Sequence, residues 1–472
     1  MKVTNSYKVK IINTNNALNP TIEVYRKALS FCIQKINENW SKFNGLKSKS
    51  QLNLAEKLFH ATEDNPNPQY PEFDNLFYKY PSYLRRSTLQ DAIGIVSSCR
   101  SNLKNWEEEK YIAISNGKKF KKQIPKLSLK HFKCPTLYKG NMFLKLLERG
   151  TACIKIYKVN KKTGKGDWVW LNIRLREQDL KYIDFNTIGM KEFSPTLVKN
   201  GKKYYLQFAF ENKVELSNTK LKDRKICAVD LGINHSAVCS IIDYSGTVKA
   251  RKFINQALEK DRQKWILNEL RETQRMNGNQ PTPKIWGKIN SYNKFLVNDT
   301  VSKIIKFALR NGADVIVCEF LNFKGKKKNK ISCRPHSGSK DKAQQLHMWK
   351  CRAIINKLKH KAHNFGMRFS RVNARNTSAL AFDGSGYVKR DKKNASLCTF
   401  PSGVTPTGRI SYAKGKQYNC DLNASYNIGA RYFIREILDS ASEKKKNQLE
   451  AKVPGVGLRT QCTLHMLRLL VA

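Results

Sequence analysis

Three carboxylates stand beside apolar runs in this chain. Asp230 lies in Ile226-Cys227-Ala228-Val229-Asp230-Leu231, Glu319 closes Val315-Ile316-Val317-Cys318-Glu319, and Asp421 opens Asp421-Leu422-Asn423-Ala424. A carboxylate inside an apolar strand is costly unless something compensates its charge. Three such acids brought together would repel one another unless cations sat between them. Oxygen ligands of this kind hold magnesium, and two such ions about 3.5–4 Å apart stabilise both the attacking water and the leaving oxygen of phosphodiester hydrolysis. Taken singly, each acid has an ordinary alternative. It could be a salt bridge or a helix cap, and Asp421 could be a first-turn acid favoured by the helix dipole.

The elements that must position these acids can be read from the periodicity. Lys225 to Asn234 reads as a buried strand, and Ser236 to Ile242 and Thr247 to Phe253 continue it through the turn Asp243-Tyr244-Ser245-Gly246 as an antiparallel meander. Two helical stretches follow, about Asn255 to Met276 and Ile285 to Asn311. Ala313 to Phe320 is a second apolar strand, with Glu319 near its end. A helix over Leu346 to Phe365 and a strand over Met367 to Val372 come next, and a late helix opens at Asp421. The expected result is a mixed sheet with helices, able to gather three acids that are far apart in sequence.

Composition narrows the class. The chain has 472 residues, enough for several domains, and 88 Lys and Arg against 37 Asp and Glu leave a net charge of +51. A field of that size draws polyanions. Hydrophobic residues at 40% and aromatics at 10% exclude a disordered cationic tail and point to a folded nucleic-acid binder. No apolar run reaches the length of a membrane span, and Met1 to Thr14 lacks the pattern of a secretory leader, so a cytosolic or nucleoid-bound protein is expected. The 12 cysteines are scattered with no CxxC pair, so most of them are expected to be small buried hydrophobes.

Upstream, residues 1–14 alternate as a strand. Ile22, Tyr25, Leu29, Ile33, Ile36 and Trp40 then recur at helical spacing, with further helices over Leu52 to His60 and Tyr83 to Trp106. From Lys126 to about Glu215 the period shifts to two, which predicts a small barrel or antiparallel sheet that includes the N-terminal strand and carries the helices as an insertion. Lys202, Lys203, Tyr204 and Tyr205 suit phosphate contact and base stacking. Ordinary core is an equal reading of the tyrosines.

With these residues in view, Ala228 to Asn234, Val317 to Asn322 and Asp421 to Arg431 resemble the three RuvC-like nuclease motifs of TnpB proteins and the miniature type V CRISPR effectors. Asp421, Asn423, Ala424, Asn427 and Ile428 match the third motif, and Asn376-Thr377-Ser378 resembles the Thr-Ser before the family's zinc ribbon. The likeness is specific from about Lys225 to Arg435 and only architectural before it. It implies an α/β multidomain protein: an RNase H-like (RuvC) nuclease domain preceded by a β-barrel wedge domain with a helical recognition insertion. The expected divisions are 1–18 and 125–220 for the wedge, 19–124 for the insertion, 221–375 and 419–440 for the nuclease domain, 376–418 for a ribbon-like hairpin, and 441–472 for a tail of unknown role. The resemblance also implies a prokaryotic cytoplasmic setting, a guide RNA, two magnesium ions at Asp230, Glu319 and Asp421, and target double-stranded DNA as partner.

One departure stands out. Where the family has its first CxxC, this chain has Ala379 to Gly384, and of the second pair only Cys398 remains, with Cys420 as a distant further sulfur. A thiolate zinc site needs several convergent ligands. The sequence therefore predicts a zinc-free hairpin held by burial of Leu380, Phe382, Leu397 and Phe400, touching nucleic acid through Lys389, Arg390, Lys392 and Lys393. Lys324, Lys326, Lys327 and Lys328 fall where the family has a mobile loop over the active site, and a solvated linker is the equal alternative. His347, His360 and His363 suit a core or surface role. The segment 441–472 reads as a packed helix, an interaction segment or a disordered end.

Three functions compete. The first is an RNA-guided DNA endonuclease. The second is an RNA-guided DNA-binding protein that does not cleave, against which the retained acids speak. The third is an RNase H-like transposase acting without RNA.

Overall fold

The computed structural model describes residues 1–472 apart from 14–15, 64, 118, 160–165, 279–280, 322–349, 392–393, 395 and 407. It is a mixed α/β chain of two units, Lys2–Lys213 and Val214–Ala472, with Met1 grouped with the second. No helix among the described residues is long and apolar enough to cross a membrane.

In the first unit, strand β1 (Lys2–Lys10) precedes five helices, α1 (Asn19–Glu38), α2 (Trp40–Phe43), α3 (Ser48–Phe59), α4 (Glu72–Leu76) and α5 (Ser82–Ser115). Pro20 starts α1 where its missing N–H costs nothing, and the buried stripe Ile22, Tyr25, Leu29, Ile33 and Ile36 faces the core. Strands β2 (Phe143–Lys145), β3 (Thr151–Val159) and β4 (Gly166–Arg174), helix α6 (Glu177–Asn186), and strands β5 (Lys191–Glu192), β6 (Thr196–Asn200) and β7 (Lys203–Lys213) follow.

The barrel expected here does not form. One sheet runs β1-β7-β5, with β6 also on β7, and a separate sheet runs β2-β3-β4. An isolated bridge from Ile11 to Leu175, just beyond β1 and β4, joins them in place of a ladder. Pairing stops at Leu175 because α6 begins two residues later. That helix, inside the segment with period two, was not expected.

The second unit is built on five strands, β8 (Lys225–Asp230), β9 (Ala237–Asp243), β10 (Val248–Ile254), β11 (Val315–Phe320) and β12 (Arg368–Asn373), in the order β10-β9-β8-β11-β12. The first three pair antiparallel, while β11 runs parallel to both β8 and β12. This is the mixed sheet that the meander and the later strands suggested. Cys227, Val229, Cys239 and Ile316 pack from one face against α8 (Pro283–Arg310) and α9 (Cys351–Asn364). Ile226, Ala228, Val238 and Val317 pack from the other against α10 (Cys420–Asp439) and α12 (Leu464–Val471). Both faces are covered at β8, β9 and β11, so these strands read as nearly continuous apolar runs, while β10 alternates. Helix α10 comes so close that a Cβ at Gly429 would lie 2.5 Å from Ile242 Cδ1 and 3.3 Å from Ala228 Cβ. Helix α7 (Ala257–Asn277) packs on α8 through Ile266, Leu267, Leu270 and Ile289.

The C-terminal segment is part of this core. After α11 (Glu443–Lys452), the side chains of Val453, Val456, Cys462, Leu464 and Leu467 are buried beside α10.

Candidate nuclease site

The fold places each acid at the end of an interior strand or at a helix start. Asp230 is the last residue of β8, and Glu319 lies one residue before the end of the adjacent parallel strand β11. Two neighbouring parallel strands therefore present their acids at the same end of the sheet. Asp421 sits in the first turn of α10. The Asn419 side chain caps that turn, accepting the N–H groups of Asp421 and Leu422 at 3.0 Å each.

Asp230 senses both other acids. Burial pushes Asp230 well above the usual carboxylate range, and the charges of Glu319 and Asp421 push it further, against a smaller opposing effect of Arg390. Burial likewise raises Glu319, while the Thr377 hydroxyl and the Arg431 charge act the other way. The Thr377 hydroxyl donates to Glu319 Oε1. His235 Nδ1 lies 2.8 Å from Asp421 Oδ2. The loop between β8 and β9 is held by Lys260, whose ammonium donates to the carbonyls of Ile233 and Asn234 at 2.7 Å each. Burial lowers that lysine's pKa, and Asp421 opposes the effect. Gly232 belongs to the same loop, and a Cβ there would lie 2.9 Å from the His235 carbonyl oxygen.

The donor set is all carboxylate, the chemistry that suits magnesium. Among the described residues, no group of three or more His, Cys, Asp or Glu converges tightly enough to hold an ion. The acids are thus neighbours, two of which raise the proton affinity of Asp230, short of a closed ligand shell.

The asparagines of the third motif clamp the backbone. The buried Asn423 donates to the Leu380 carbonyl and accepts the Phe382 N–H, each at 2.8 Å. One turn later, Asn427 donates to the carbonyls of Thr377 (3.0 Å) and Leu380 (2.8 Å) and accepts the Leu464 N–H. One further turn on, Arg431 donates to the carbonyls of Asn373, Arg375, Thr460 and Cys462. This single face of α10 ties the end of β12, the Thr377 segment and the C-terminal segment together. His235, Lys260 and Arg431 were missed as site residues by the sequence reading. The spacing of Asn423, Asn427 and Arg431 at four-residue intervals was the available signal for the clamp.

The hairpin between β12 and α10 holds β13 (Lys389–Arg390), β14 (Leu397–Thr399), β15 (Gly403–Val404), β16 (Ile410–Ser411) and β17 (Gln417–Asn419). Phe400, Ala381, Cys398 and Cys420 are buried, and the Phe382 ring meets those of Phe400, Tyr418 and Tyr426 at 5.5, 5.1 and 5.1 Å. Cys420 is not the distant sulfur expected: it shares the buried cluster of Cys398, whose thiol donates to the Tyr418 carbonyl at 3.4 Å, and Cys420, followed by burial, pushes Cys398 up. Pairing of β14 with β17 accounts for the meeting, since Cys398 lies opposite Tyr418.

The remaining candidates are dispersed. Arg390 donates to Ser378 Oγ at 2.7 Å, and its charge reaches Asp230. Lys389 lies over the Tyr412 ring. Lys202 and Lys203 are exposed, Tyr205 is half-buried, and Tyr204 turns into the core, where it donates to Asn19. Lys324, Lys326, Lys327, Lys328, Lys392, Lys393 and His347 lie outside the described residues.

Residues 5–158 match the profile of the Aq_aa04 family. A protein of Aquifex aeolicus (strain VF5), described as uncharacterized protein aq_aa04, is 38% identical over 104 residues, which is 20% of this chain. The chain spans 58% of the length of that relative. Solved structures similar to this chain are Cas12 type V CRISPR effectors. The Cas12f1–sgRNA–target DNA complex has 15% identity and a TM-score of 0.31, over 90% of this chain and 98% of that one. A CRISPR–Cas12f ternary complex has 15% identity and a TM-score of 0.30, over 88% and 80%. C2c1 of Alicyclobacillus acidoterrestris with single-guide RNA has 10% identity and a TM-score of 0.43, over 89% and 66%.

Proposed function

We propose that this protein is an RNA-guided DNA endonuclease whose RuvC-like site is formed by Asp230, Glu319 and Asp421. The observation that carries the reading is the raised proton affinity of Asp230, caused by burial and then by the other two acids, which come from elements 89 and 191 residues further along the chain. Keeping several carboxylates together is expensive for a fold unless a cation repays it. The strand order, with the first acid in a meander and the second on a parallel neighbour, supports an RNase H-like domain. Guide RNA and target double-stranded DNA are the proposed partners, on the strength of the motif resemblance and the net charge of +51.

Asp230, Glu319 and Asp421 are the residues that would hold magnesium, which when bound supplies charge stabilisation to the attacking water and the leaving oxygen. The other groups keep the acids in place. Thr377 fixes Glu319, His235 and the Asn419 cap fix Asp421, and the Asn423, Asn427 and Arg431 face holds the segment that carries Thr377. Base pairing with the guide would select the target, leaving the protein to hold backbones. Sequencing of the RNA that copurifies, followed by magnesium-dependent cutting of a DNA complementary to it, tests the proposal. Copurified RNA without cutting would leave a binding protein, and cutting without RNA would favour a transposase.

A further inference from the structure

A cavity of about 160 Å³ lies along the second half of α10, between that helix, the edge strand β12 and the segment that follows α11. Arg371, Arg431, Arg435 and Arg459 line it, and no carboxylate does among the described residues. At 1.5 Å per residue, Arg431 and Arg435 stand about 15 and 21 Å along α10 from Asp421, so the cavity is a place of its own. Its apolar wall is Val372, Ile434, Leu438 and Val456, with no aromatic ring on which a base could stack.

Four guanidinium groups gathered in so small a volume repel one another, and their partners offset only part of the charge. Arg431 is buried and directs four of its five N–H groups to the carbonyls of Asn373, Arg375, Thr460 and Cys462, which leaves one on Nη2. Arg435 directs four to Glu436, the Ser370 hydroxyl and the Arg371 carbonyl, which leaves one on Nη1. These two side chains are therefore fixed in place, each with a donor to spare. Arg459 meets the exposed Asp439 at 3.4 Å, a surface pair that holds it weakly. Arg371 lies over the Phe320 ring at 5.2 Å, and its guanidinium has no oxygen partner among the described residues.

Guanidinium forks match the oxygens of a phosphate, and several cations around two fixed donors suit a doubly charged tetrahedral anion better than a carboxylate. The volume lies below the roughly 300–1,000 Å³ of sites that enclose a whole small molecule, so a nucleotide does not fit inside. One phosphate group does, with anything attached to it left outside, beyond the exposed Arg371 and Arg459.

We propose that this cavity binds one phosphate dianion, free or at the end of a larger molecule, through Arg371 and Arg459 at its rim and the remaining N–H groups of Arg431 and Arg435 inside. The site joins β12, α10 and the C-terminal segment, and it stands whether or not the protein cuts DNA.

The experiment is isothermal titration of the full chain with inorganic phosphate at constant ionic strength and about pH 8, where phosphate is mostly the dianion. One site per chain is expected. Arg371→Gln should weaken it about tenfold or more, the scale of losing a hydrogen bond between charged groups, and Arg459→Gln should weaken it as well. Arg310→Gln removes the same charge from α8, outside the cavity, and should match wild type. Unchanged affinity in Arg371→Gln, an equal loss in Arg310→Gln, or uptake at many weak sites would overturn the proposal, because net charge alone would then attract the anion. Competition with a dinucleotide that carries a 5′-phosphate, and with the same dinucleotide without it, identifies the source. Displacement by the phosphorylated form alone assigns the site to a terminal phosphate, and displacement by neither assigns it to free phosphate. Equal displacement by both would overturn the proposal, since an internal phosphodiester would then suffice.

Discussion

His235 Nδ1 lies 2.8 Å from Asp421 Oδ2, joining the loop after β8 to the start of α10 across 186 residues of sequence. The Phe253 ring packs edge-on against the imidazole at 5.3 Å and limits its rotation. His235 therefore acts on the proposed site through Asp421. Outer partners of this type are worth about 10–100-fold in metal affinity or activity. His235→Ala should lower cleavage by a factor of that order and raise the magnesium concentration at half-maximal rate, with guide-RNA affinity unchanged. A variant that cuts at the wild-type rate with the wild-type magnesium midpoint would remove the positioning role.

Thr377 and Asn427 form the second link to the acids. Thr377→Val keeps the shape of this buried side chain and removes the donor to Glu319, so it should slow cleavage at a stability cost of about 1–3 kcal/mol; Thr377→Ser keeps the hydroxyl and should cut at the wild-type rate. Asn427→Ala should act on the fold instead. It strands the Thr377 carbonyl and the Leu464 N–H and leaves the Leu380 carbonyl to Asn423 alone, at roughly 1–3 kcal/mol for each buried group left unpaired. Thermal unfolding alongside single-turnover cleavage separates the two effects. The assignment fails if Thr377→Val cuts at the wild-type rate or if Asn427→Ala is as stable as wild type.

The hairpin should depend on its rings and not on zinc. Phe400 is 1% exposed and packs with Phe382 and Tyr418, so Phe400→Ala should cost about 3–5 kcal/mol. Purified protein should hold well under one zinc per chain, and a zinc-selective chelator, with magnesium kept constant, should leave its urea midpoint unchanged. Stoichiometric zinc that is lost together with stability in Cys398→Ser would show that Cys398 and Cys420 belong to a metal site.

Asp314 gives a pH dependence away from the site. It accepts from the Ser217 hydroxyl at 2.7 Å, from the Lys225 N–H at 2.9 Å and from the Thr219 hydroxyl. Burial alone would raise its pKa, but these donors and the Arg224 charge hold it below the ordinary carboxylate value. A group depressed in the folded state contributes its full stability above the unfolded pKa, about 3.9, and loses it as pH falls through the folded value. Asp314→Asn should therefore cost about 1 kcal/mol at pH 7, a modest figure because solvent screens the group. The gap to wild type should close below about pH 4. Urea midpoints at pH 3, 5 and 7 check this, and a gap that widens toward low pH would contradict it.

Much of the second unit was legible because its strands are buried on both faces and its acids interrupt apolar runs. Asp230, Glu319 and Asp421 stood out for that reason, and the order of β8 to β12 follows from their spacing. What failed was long-range pairing. Nothing local in Arg174 and Leu175 says that they meet the first strand through one bridge instead of a ladder, so a barrel was expected where two sheets stand. The meeting of Cys398 with Cys420 and of His235 with Asp421 depends on register and on helix placement. The C-terminal segment reads as undecided because its apolar residues gain a partner only once α10 has packed on the sheet.

The central claim is that three distant carboxylates act as one site for cutting DNA. Its most direct measurement is single-turnover cleavage of a guide-complementary DNA by wild type, Asp230→Ala, Glu319→Ala, Asp421→Ala and the Asp230/Asp421 double variant, with guide-RNA and target affinity measured in parallel. Each single variant should lose cleavage and keep its binding, and the double should be no worse than either single, because members of one catalytic unit are strongly non-additive. Near-normal cutting by any one of the single variants would contradict the account.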